Sequence, residues 1–164
     1  MNQPEILIVG AGGMGALFGS IFHENGLKVV LYDTNTEHIR AIQQAGLKIE
    51  GYGGDRTIPI AATSNLSELE SAEIIIFQCK SHGTRQASKA VKPLITQKSV
   101  CISFQNGLGN EEVMAEELGE DSVMGGLTAM AGVLLEPGKI RDFSRVPSHI
   151  GEMRGEISER AQTL

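Results

Sequence analysis

The stretch ILIVGAGGMG at residues 6–15 decides the fold. Its first four residues are apolar, which is typical of a short strand buried on both faces of a sheet. Three glycines follow with the spacing Gly10-X-Gly12-X-X-Gly15, and the apolar residues of 14–22 then recur at helical spacing. The stretch therefore predicts a strand, a glycine-rich turn and a helix in direct succession.

Each of these glycines has a physical reason in such a unit. Gly10 permits a tight turn, Gly12 lets the backbone approach a pyrophosphate, and Gly15 lets the helix pack closely on the strand. The free N–H groups and the dipole at the start of the helix then offset the phosphate charge. In the alternative interpretation the glycines form only a strand-to-helix turn, but the flanking strand and helix favour a dinucleotide site.

An acidic residue closes the second predicted strand. Residues 28–32 form a largely apolar run, and Asp33 follows it directly. A carboxylate at this place can accept hydrogen bonds from both hydroxyl groups of an adenosine ribose, and it would repel a 2′-phosphate. Asp33 therefore favours NAD over NADP as the cofactor, whereas the alternative interpretation makes it a helix cap.

Strands and helices alternate along much of the chain, which predicts an α/β fold of the Rossmann type with a doubly wound, mainly parallel sheet. After the first helix, strands are predicted at residues 28–32, 74–77, 100–104 and 149–151, and helices at 36–45, 81–95 and 111–118. An apolar segment at 123–135 turns back at 136–138 into 139–143. Residues 47–50 and 57–60 flank the glycine-rich 51–54, which predicts a β-hairpin insertion.

Two helix starts and the end of the chain complete the prediction. Ser67 fits a capping box that opens a short helix, and Ser81 is placed to cap the helix at 81–95. Ile157, Ala161 and Leu164 have i, i+4, i+7 spacing, and no stop signal follows them. We therefore expect residues 1–164 to form a single dinucleotide-binding domain that ends inside a C-terminal helix.

The composition excludes several classes of partner. The chain has 164 residues and a net charge of −6, whereas nucleic-acid binding needs a basic patch. No run approaches the roughly 18 apolar residues of a membrane span, and the first residues lack the features of a signal peptide. Cys79, Cys101 and the four histidines show no metal-ligand spacing. We expect a cytoplasmic protein with no membrane partner, no nucleic-acid partner and no metal.

Two polar residues follow the later strands. Lys80 follows the strand at 74–77 after two further residues, and Asn106 follows the strand at 100–104 after one. Ligands of open α/β sheets lie beyond the carboxyl ends of the strands, which makes both residues candidates for a site. The alternative is a solvated surface lysine and a plain Asn-Gly turn.

Several motifs resemble the ketopantoate reductase (2-dehydropantoate 2-reductase) family. IVGAGGMG at 8–15 resembles the opening of that family, and the pair Cys79-Lys80 before a helix resembles a later motif. QNGLGN at 105–110 is similar to the family's asparagine motif after a strand, the most specific of the set. Three more motifs follow the family's pattern in order: GLTA at 126–129, EPGKI at 136–140 and IGE at 150–152.

The resemblance implies an oxidoreductase that transfers a hydride from NAD(P)H to the 2-keto group of 2-dehydropantoate, giving pantoate for pantothenate biosynthesis. Lys80 and Asn106 would be catalytic residues near the nicotinamide and the reacting carbon, where an ammonium or amide can polarise a developing alkoxide. The cofactor-binding candidates are Gly10, Ala11, Gly12, Gly13, Met14, Gly15, Asp33, Lys80 and Asn106.

The chain also departs from the family's pattern. Family members that use NADP usually carry a basic residue near the end of the second strand, where this chain has Asp33, so NAD is favoured and NADP stays open. A helical C-terminal domain supplies the general-acid lysine of the family, and we expect the chain to end before it and to turn over little substrate. Two alternatives remain: a dehydrogenase of another 2-keto acid, and a non-catalytic dinucleotide-binding module. The sequence leaves open whether a homodimer forms.

Overall fold

The computed structural model describes residues 3–155 and 157–164, so Met1 and Asn2, on which part of the signal-peptide prediction rests, lie outside it. The strands are β1 (Ile6–Val9), β2 (Val29–Tyr32), β3 (Leu47–Gly51), β4 (Arg56–Ile58), β5 (Ala61–Thr63), β6 (Ile74–Phe77), β7 (Val100–Ser103), β8 (Val123–Leu127), β9 (Ala131–Glu136), β10 (Lys139–Ser144) and β11 (His149–Glu152). The α-helices are α1 (Gly13–Glu24), α2 (Thr36–Ala45), α3 (Thr84–Val91), α4 (Asn110–Leu118) and α5 (Glu159–Thr163).

The larger sheet has seven strands in the order β11-β8-β7-β6-β1-β2-β5. All its neighbouring strands are parallel except β11, which runs antiparallel to β8. The chain passes from β1 to β2 on one side and later adds β6 on the other side of β1. This reversal of strand order opens a crevice at the carboxyl ends of β1, β2 and β6, and it confirms the predicted doubly wound, mainly parallel sheet.

The core lies on both faces of this sheet because successive residues of a strand point to opposite sides. Ile6 and Ile8 of β1 belong to a buried cluster that includes residues of α1, such as Leu17. Leu7 and Val9 belong to a second buried cluster on the other face, which includes residues of α3 and α4. Every residue of β1 is therefore buried, as its apolar run predicts.

A second sheet has the order β4-β3-β10-β9. The predicted hairpin insertion is confirmed, since β3 and β4 pair antiparallel with Leu47 opposite Ile58. The segment after 136–138 turns back as predicted, and β9 and β10 form an antiparallel pair. The sequence does not predict that β10 also pairs in parallel with β3, which joins the two hairpins into one sheet.

The strand predicted at 57–60 is wrong at its end. β4 stops at Ile58, and Ala61 then begins β5, which pairs with β2 at the edge of the larger sheet. Pro59 lies between them and has no N–H group to donate to a strand partner, which favours a break in the ladder. Residues 56–63 therefore contribute one strand to each sheet.

Three helix predictions need correction. The turn near Ser67 is a short 3-10 helix, Leu66–Glu68, and its cap is Asn65, whose side chain accepts a hydrogen bond from the Ser67 N–H at 3.1 Å. The helix predicted at 81–95 consists of α3 with a 3-10 turn at each end, Ser81–Gly83 and Lys92–Leu94. Pro93 removes an N–H donor where the α-helix would continue. The Ser81 hydroxyl does not cap this helix, but donates to the Asn106 carbonyl at 2.8 Å.

The C-terminal helix is shorter than predicted. Ser158 caps α5 by accepting a hydrogen bond from the Ala161 N–H at 3.1 Å. Ala161 packs against the core, but Ile157 precedes the helix and is 82% exposed, so the predicted apolar face is wrong at that residue. Within residues 3–155 and 157–164, no helix has the length and apolar character needed to cross a bilayer.

Candidate active site

The glycine-rich loop connects β1 to α1 at the crevice. Gly10 has φ of +99°, and a Cβ there would overlap the backbone of Cys79. A Cβ on Gly15 would overlap the Gly10 carbonyl oxygen, so this glycine lets α1 lie against the end of β1. No heavy atom lies within 4 Å of a Cβ built on Gly12. The predicted structural roles of Gly10 and Gly15 are thus confirmed, and Gly12 faces open space.

Two other loop residues face the protein itself. A Cβ on Gly13 would lie 2.5 Å from the Cα of Val133 and 2.6 Å from the Gly132 carbonyl oxygen, so β9 covers the start of α1. Ala11 is fully buried in the core. The sequence motif alone does not show that β9 packs against Gly13, because this contact joins residues far apart in the chain.

Two cavities lie along the carboxyl ends of the strands. The first, of about 490 Å³, is bordered by Gly10, Asp33 and residues of the segment that holds α3. The second, of about 380 Å³, is bordered by Met14, Asn106 and residues of β9. Both cavities share four residues: Gly12, Gln78, Cys79 and Lys80. Together they form a two-part cleft: the parts adjoin at these four residues, Asp33 borders one part and Asn106 borders the other.

Asp33 lies at the end of β2 and borders the first cavity. One of its carboxylate oxygens accepts a hydrogen bond from the Asn35 N–H at 2.9 Å. The cap of α2 is Asn35, whose side chain accepts from the His38 N–H at 3.1 Å, so the alternative interpretation of Asp33 as the cap is wrong. Burial, and then the Asp33 charge, raise the pKa of Tyr32.

A buried polar network fixes the loop after β7. The Gln105 side-chain N–H groups lie 2.8 Å from both the Cys79 carbonyl oxygen and the Thr84 hydroxyl oxygen. Thr84 in turn donates to the Asn110 side-chain oxygen at 3.0 Å, and the Asn110 amide donates to the Asn106 carbonyl at 3.2 Å. These bonds tie the ends of β6 and β7 to α3 and α4. The sequence predicts the position of Asn106, but it does not indicate that its neighbours hold this loop.

The structure brings Lys80 and Asn106 to the same cavity. Both side chains are exposed, and both border the second cavity beside the glycine-rich loop. Gln78, which the sequence analysis does not single out, lies where the two cavities join. Its side-chain nitrogen is buried and has no hydrogen-bond partner among the described residues. A buried donor without an acceptor is costly, which supports a role for Gln78 toward a ligand.

The cysteines are not poised for nucleophilic chemistry. Burial raises the pKa of the Cys101 thiol to about 12 and also raises the pKa of Cys79. Only a thiolate reacts readily, and a raised pKa means that the thiolate is scarce at neutral pH. Over the described ranges, no three histidine, cysteine or acidic side chains come together in a group that could hold a metal ion.

We expect both thiols of the folded protein to resist an aromatic disulfide reagent at neutral pH. Denaturant should release both of them for rapid reaction, because exposure restores an ordinary thiol pKa. The labelling rate of the folded protein should keep rising with pH even above the ordinary pKa of a thiol, because burial raises the pKa of both thiols. Rapid labelling of one thiol in the native protein at neutral pH would contradict this prediction, and a spectrophotometric time course measures it.

The chain matches known proteins in both sequence and structure. The sequence model of the family described as ketopantoate reductase PanE/ApbA matches residues 6–155. The chain is 34% identical over 137 residues to 2-dehydropantoate 2-reductase of Pyrococcus abyssi, covering 84% of this chain and 44% of that one. The crystal structure of 2-dehydropantoate 2-reductase from Geobacter metallireducens is 26% identical, with a TM-score of 0.88 over 96% of this chain and 52% of that one.

A third neighbour shows the breadth of this fold. The ternary structure of D-mandelate dehydrogenase with NADH and anilino(oxo)acetate has a TM-score of 0.79 over 92% of this chain and 50% of that one. At 23% identity, this likeness extends to the fold alone. The chain spans about half the length of the curated relatives it matches. Since the family model covers nearly all of its residues, the chain belongs to the ketopantoate reductase family.

Proposed function

We propose that this chain is the dinucleotide-binding half of a 2-dehydropantoate 2-reductase, which transfers a hydride from NAD(P)H to the 2-keto group of 2-dehydropantoate and forms pantoate. The two-part cleft carries the proposal, because Gly12 borders both cavities while Asp33 borders only the first and Asn106 only the second. A dinucleotide likewise consists of two nucleosides joined by a pyrophosphate. Membership of the family supports the reaction and the 2-keto acid substrate.

The pyrophosphate fits best at Gly12, in the middle of the cleft. Gly12 directly precedes α1, and among the described residues no side chain caps this helix. The first N–H groups of a helix have no partner within it, and together with the helix dipole they favour an anion. The space around Gly12, free of heavy atoms within 4 Å of a Cβ, leaves room for the phosphate oxygens.

The side of the cleft near Asp33 fits the adenosine ribose. One oxygen of Asp33 is bound to the Asn35 N–H, which fixes the carboxylate at the edge of the first cavity. The carboxylate can accept hydrogen bonds from the 2′- and 3′-hydroxyl groups, and its charge opposes a 2′-phosphate. We therefore propose NAD as the preferred form of the cofactor.

The side near Asn106 fits the nicotinamide and the substrate. When bound, the reduced nicotinamide supplies the hydride. Lys80 and Asn106 border this cavity and present an ammonium and an amide, which can orient a 2-keto acid and stabilise negative charge on its carbonyl oxygen. The network of Gln105, Thr84 and Asn110 holds the Asn106 loop in place, so that little reorganisation is needed on binding.

Asp33→Asn should shift the cofactor preference from NADH toward NADPH. The amide keeps an oxygen for the Asn35 N–H but loses the charge, so NADH affinity should fall roughly tenfold while NADPH affinity rises. Glu37→Gln is the matched control, because Glu37 is exposed in the first turn of α2 and does not border the cleft. Calorimetric titration of both variants with both cofactors measures the effect. Equal changes in the two variants would overturn the role of Asp33.

The substrate is tested by ligand-observed NMR on this chain. We expect the methyl signals of 2-dehydropantoate to broaden when NADH is present, and Asn106→Ala to reduce this broadening strongly. Phenylglyoxylate, an aromatic 2-keto acid, serves as the competing substrate class. Stronger binding of phenylglyoxylate would favour a dehydrogenase of another 2-keto acid. If NADH binds but neither keto acid binds, with or without NADH, the result would favour a non-catalytic dinucleotide module.

A further inference from the structure

His38 is a buried residue that the predicted chemistry does not use. It lies in the first turn of α2, and only 1% of its surface is exposed. Its Nε2 lies 2.8 Å from the Ala11 carbonyl oxygen in the glycine-rich loop. Its Nδ1 lies 3.0 Å from the backbone nitrogen of Gly138, in the turn between β9 and β10. The ring therefore connects three segments that are distant in sequence.

The two partners define the tautomer of this ring. The Gly138 N–H can only donate, so Nδ1 accepts and carries no proton. The Ala11 carbonyl can only accept, so Nε2 carries the proton and donates it. The neutral ring satisfies both backbone groups, and no other tautomer or charge state makes both hydrogen bonds.

The bond to Ala11 determines how the next amide points. The peptide group between Ala11 and Gly12 is planar and trans, so its carbonyl and its N–H point in opposite directions. His38 holds the carbonyl on the buried side of the loop. The Gly12 N–H therefore points away from His38, and Gly12 borders both parts of the cleft, whereas His38 borders neither.

We propose that His38 is a positioning residue for dinucleotide binding: it holds the Ala11–Gly12 peptide so that the Gly12 N–H faces the pyrophosphate. This inference rests on the proposed function. The free protein then presents the donor in its binding orientation, and the ligand does not have to turn the peptide. The bond from Gly138 keeps the ring in the required tautomer, which gives the second sheet a part in arranging the phosphate site.

The competing explanation is that His38 only stabilises the fold, since buried histidines commonly satisfy backbone groups. Two substitutions separate the explanations, because each keeps a different bond. In His38→Gln the terminal amide can replace Nε2 and donate to Ala11. In His38→Asn the shorter side chain places its oxygen near the position of Nδ1, where it can accept from Gly138 but cannot reach Ala11. Each variant leaves one backbone group without its partner, so both should lose similar stability.

Titration of the two variants and the parent chain with NADH tests the proposal. We expect His38→Gln to bind nearly as well as the parent, and His38→Asn to bind roughly tenfold more weakly or worse, at similar denaturation midpoints. Equal affinities in the two variants would overturn the positioning role. Absence of NADH binding to the parent chain would instead overturn the proposed function.

A measurement on the parent chain covers the case in which neither variant folds. Nitrogen-15 NMR of the histidine rings should show His38 with its proton on Nε2, and addition of inorganic pyrophosphate should shift the Gly12 amide proton downfield. A proton on Nδ1, or an unchanged Gly12 amide at saturating pyrophosphate, would contradict the proposal.

Discussion

Gly12→Val should abolish measurable NADH binding while the protein keeps its fold. Gly12 has φ of −62°, which is open to every residue type, and a Cβ there meets no heavy atom within 4 Å. The valine side chain would fill the place where the two cavities join and would keep the pyrophosphate from the first turn of α1. We expect the affinity to fall roughly 100-fold or more, and the free energy of unfolding to change by less than about 1 kcal/mol.

Gly151→Val is the matched control for this substitution. Gly151 also has open space around a built Cβ, but it lies in β11 and does not border the cleft. Calorimetric titration and urea denaturation of both variants separate binding from stability. NADH affinity of Gly12→Val equal to that of Gly151→Val would show that the pyrophosphate does not bind at the loop.

Gly15→Ala should instead cause a large loss of stability. Its Cβ would overlap the Gly10 carbonyl oxygen and lie 3.1 Å from the Ile8 side chain, so α1 would have to move away from β1. Backbone atoms cannot rotate aside as a side chain can, and overpacking of this kind costs about 1–3 kcal/mol or more. Typical domains have only about 5–15 kcal/mol of stability, so a large fraction would be lost.

Gly19→Ala, in the same helix, provides the comparison. A Cβ at Gly19 also comes too close to a neighbour, but that neighbour is Cδ2 of Leu31, the end of a flexible side chain. Alanine is a better helix former than glycine by about 1 kcal/mol, but both glycines lie in α1, so this gain applies to both variants and the contacts decide the difference. The urea midpoint of Gly19→Ala should therefore lie clearly above that of Gly15→Ala. Equal midpoints would contradict the close contact assigned to Gly15.

Local patterns in the sequence predict the β1-α1-β2 unit and the parallel sheet. The apolar run at Ile6–Val9 and the helical spacing after Gly12 each lie within a few residues, so neighbouring residues determine them. The pairing of β3 with β10 is different, because it joins residues such as Ile49 and Ile140 that no local pattern relates. The second sheet therefore appears only when the chain is folded.

The candidate site shows the same division. Glycine spacing and strand ends indicate Gly12, Asp33 and Asn106, because each has a fixed position relative to a predicted strand. The sequence does not single out Gln105 and His38, because no local pattern distinguishes a buried polar residue from an exposed one. Burial becomes visible only in the fold, where His38 bridges Ala11 and Gly138.

The central claim is that the cleft at the carboxyl ends of the strands binds a nicotinamide dinucleotide. Calorimetric titration of the folded chain with NADH, and in parallel with NADPH, tests it most directly. We predict saturable binding at one site per chain, with NADH tighter than NADPH because of the Asp33 charge. Absence of saturable heat with either cofactor at millimolar concentrations, from protein shown to be folded, would contradict the claim.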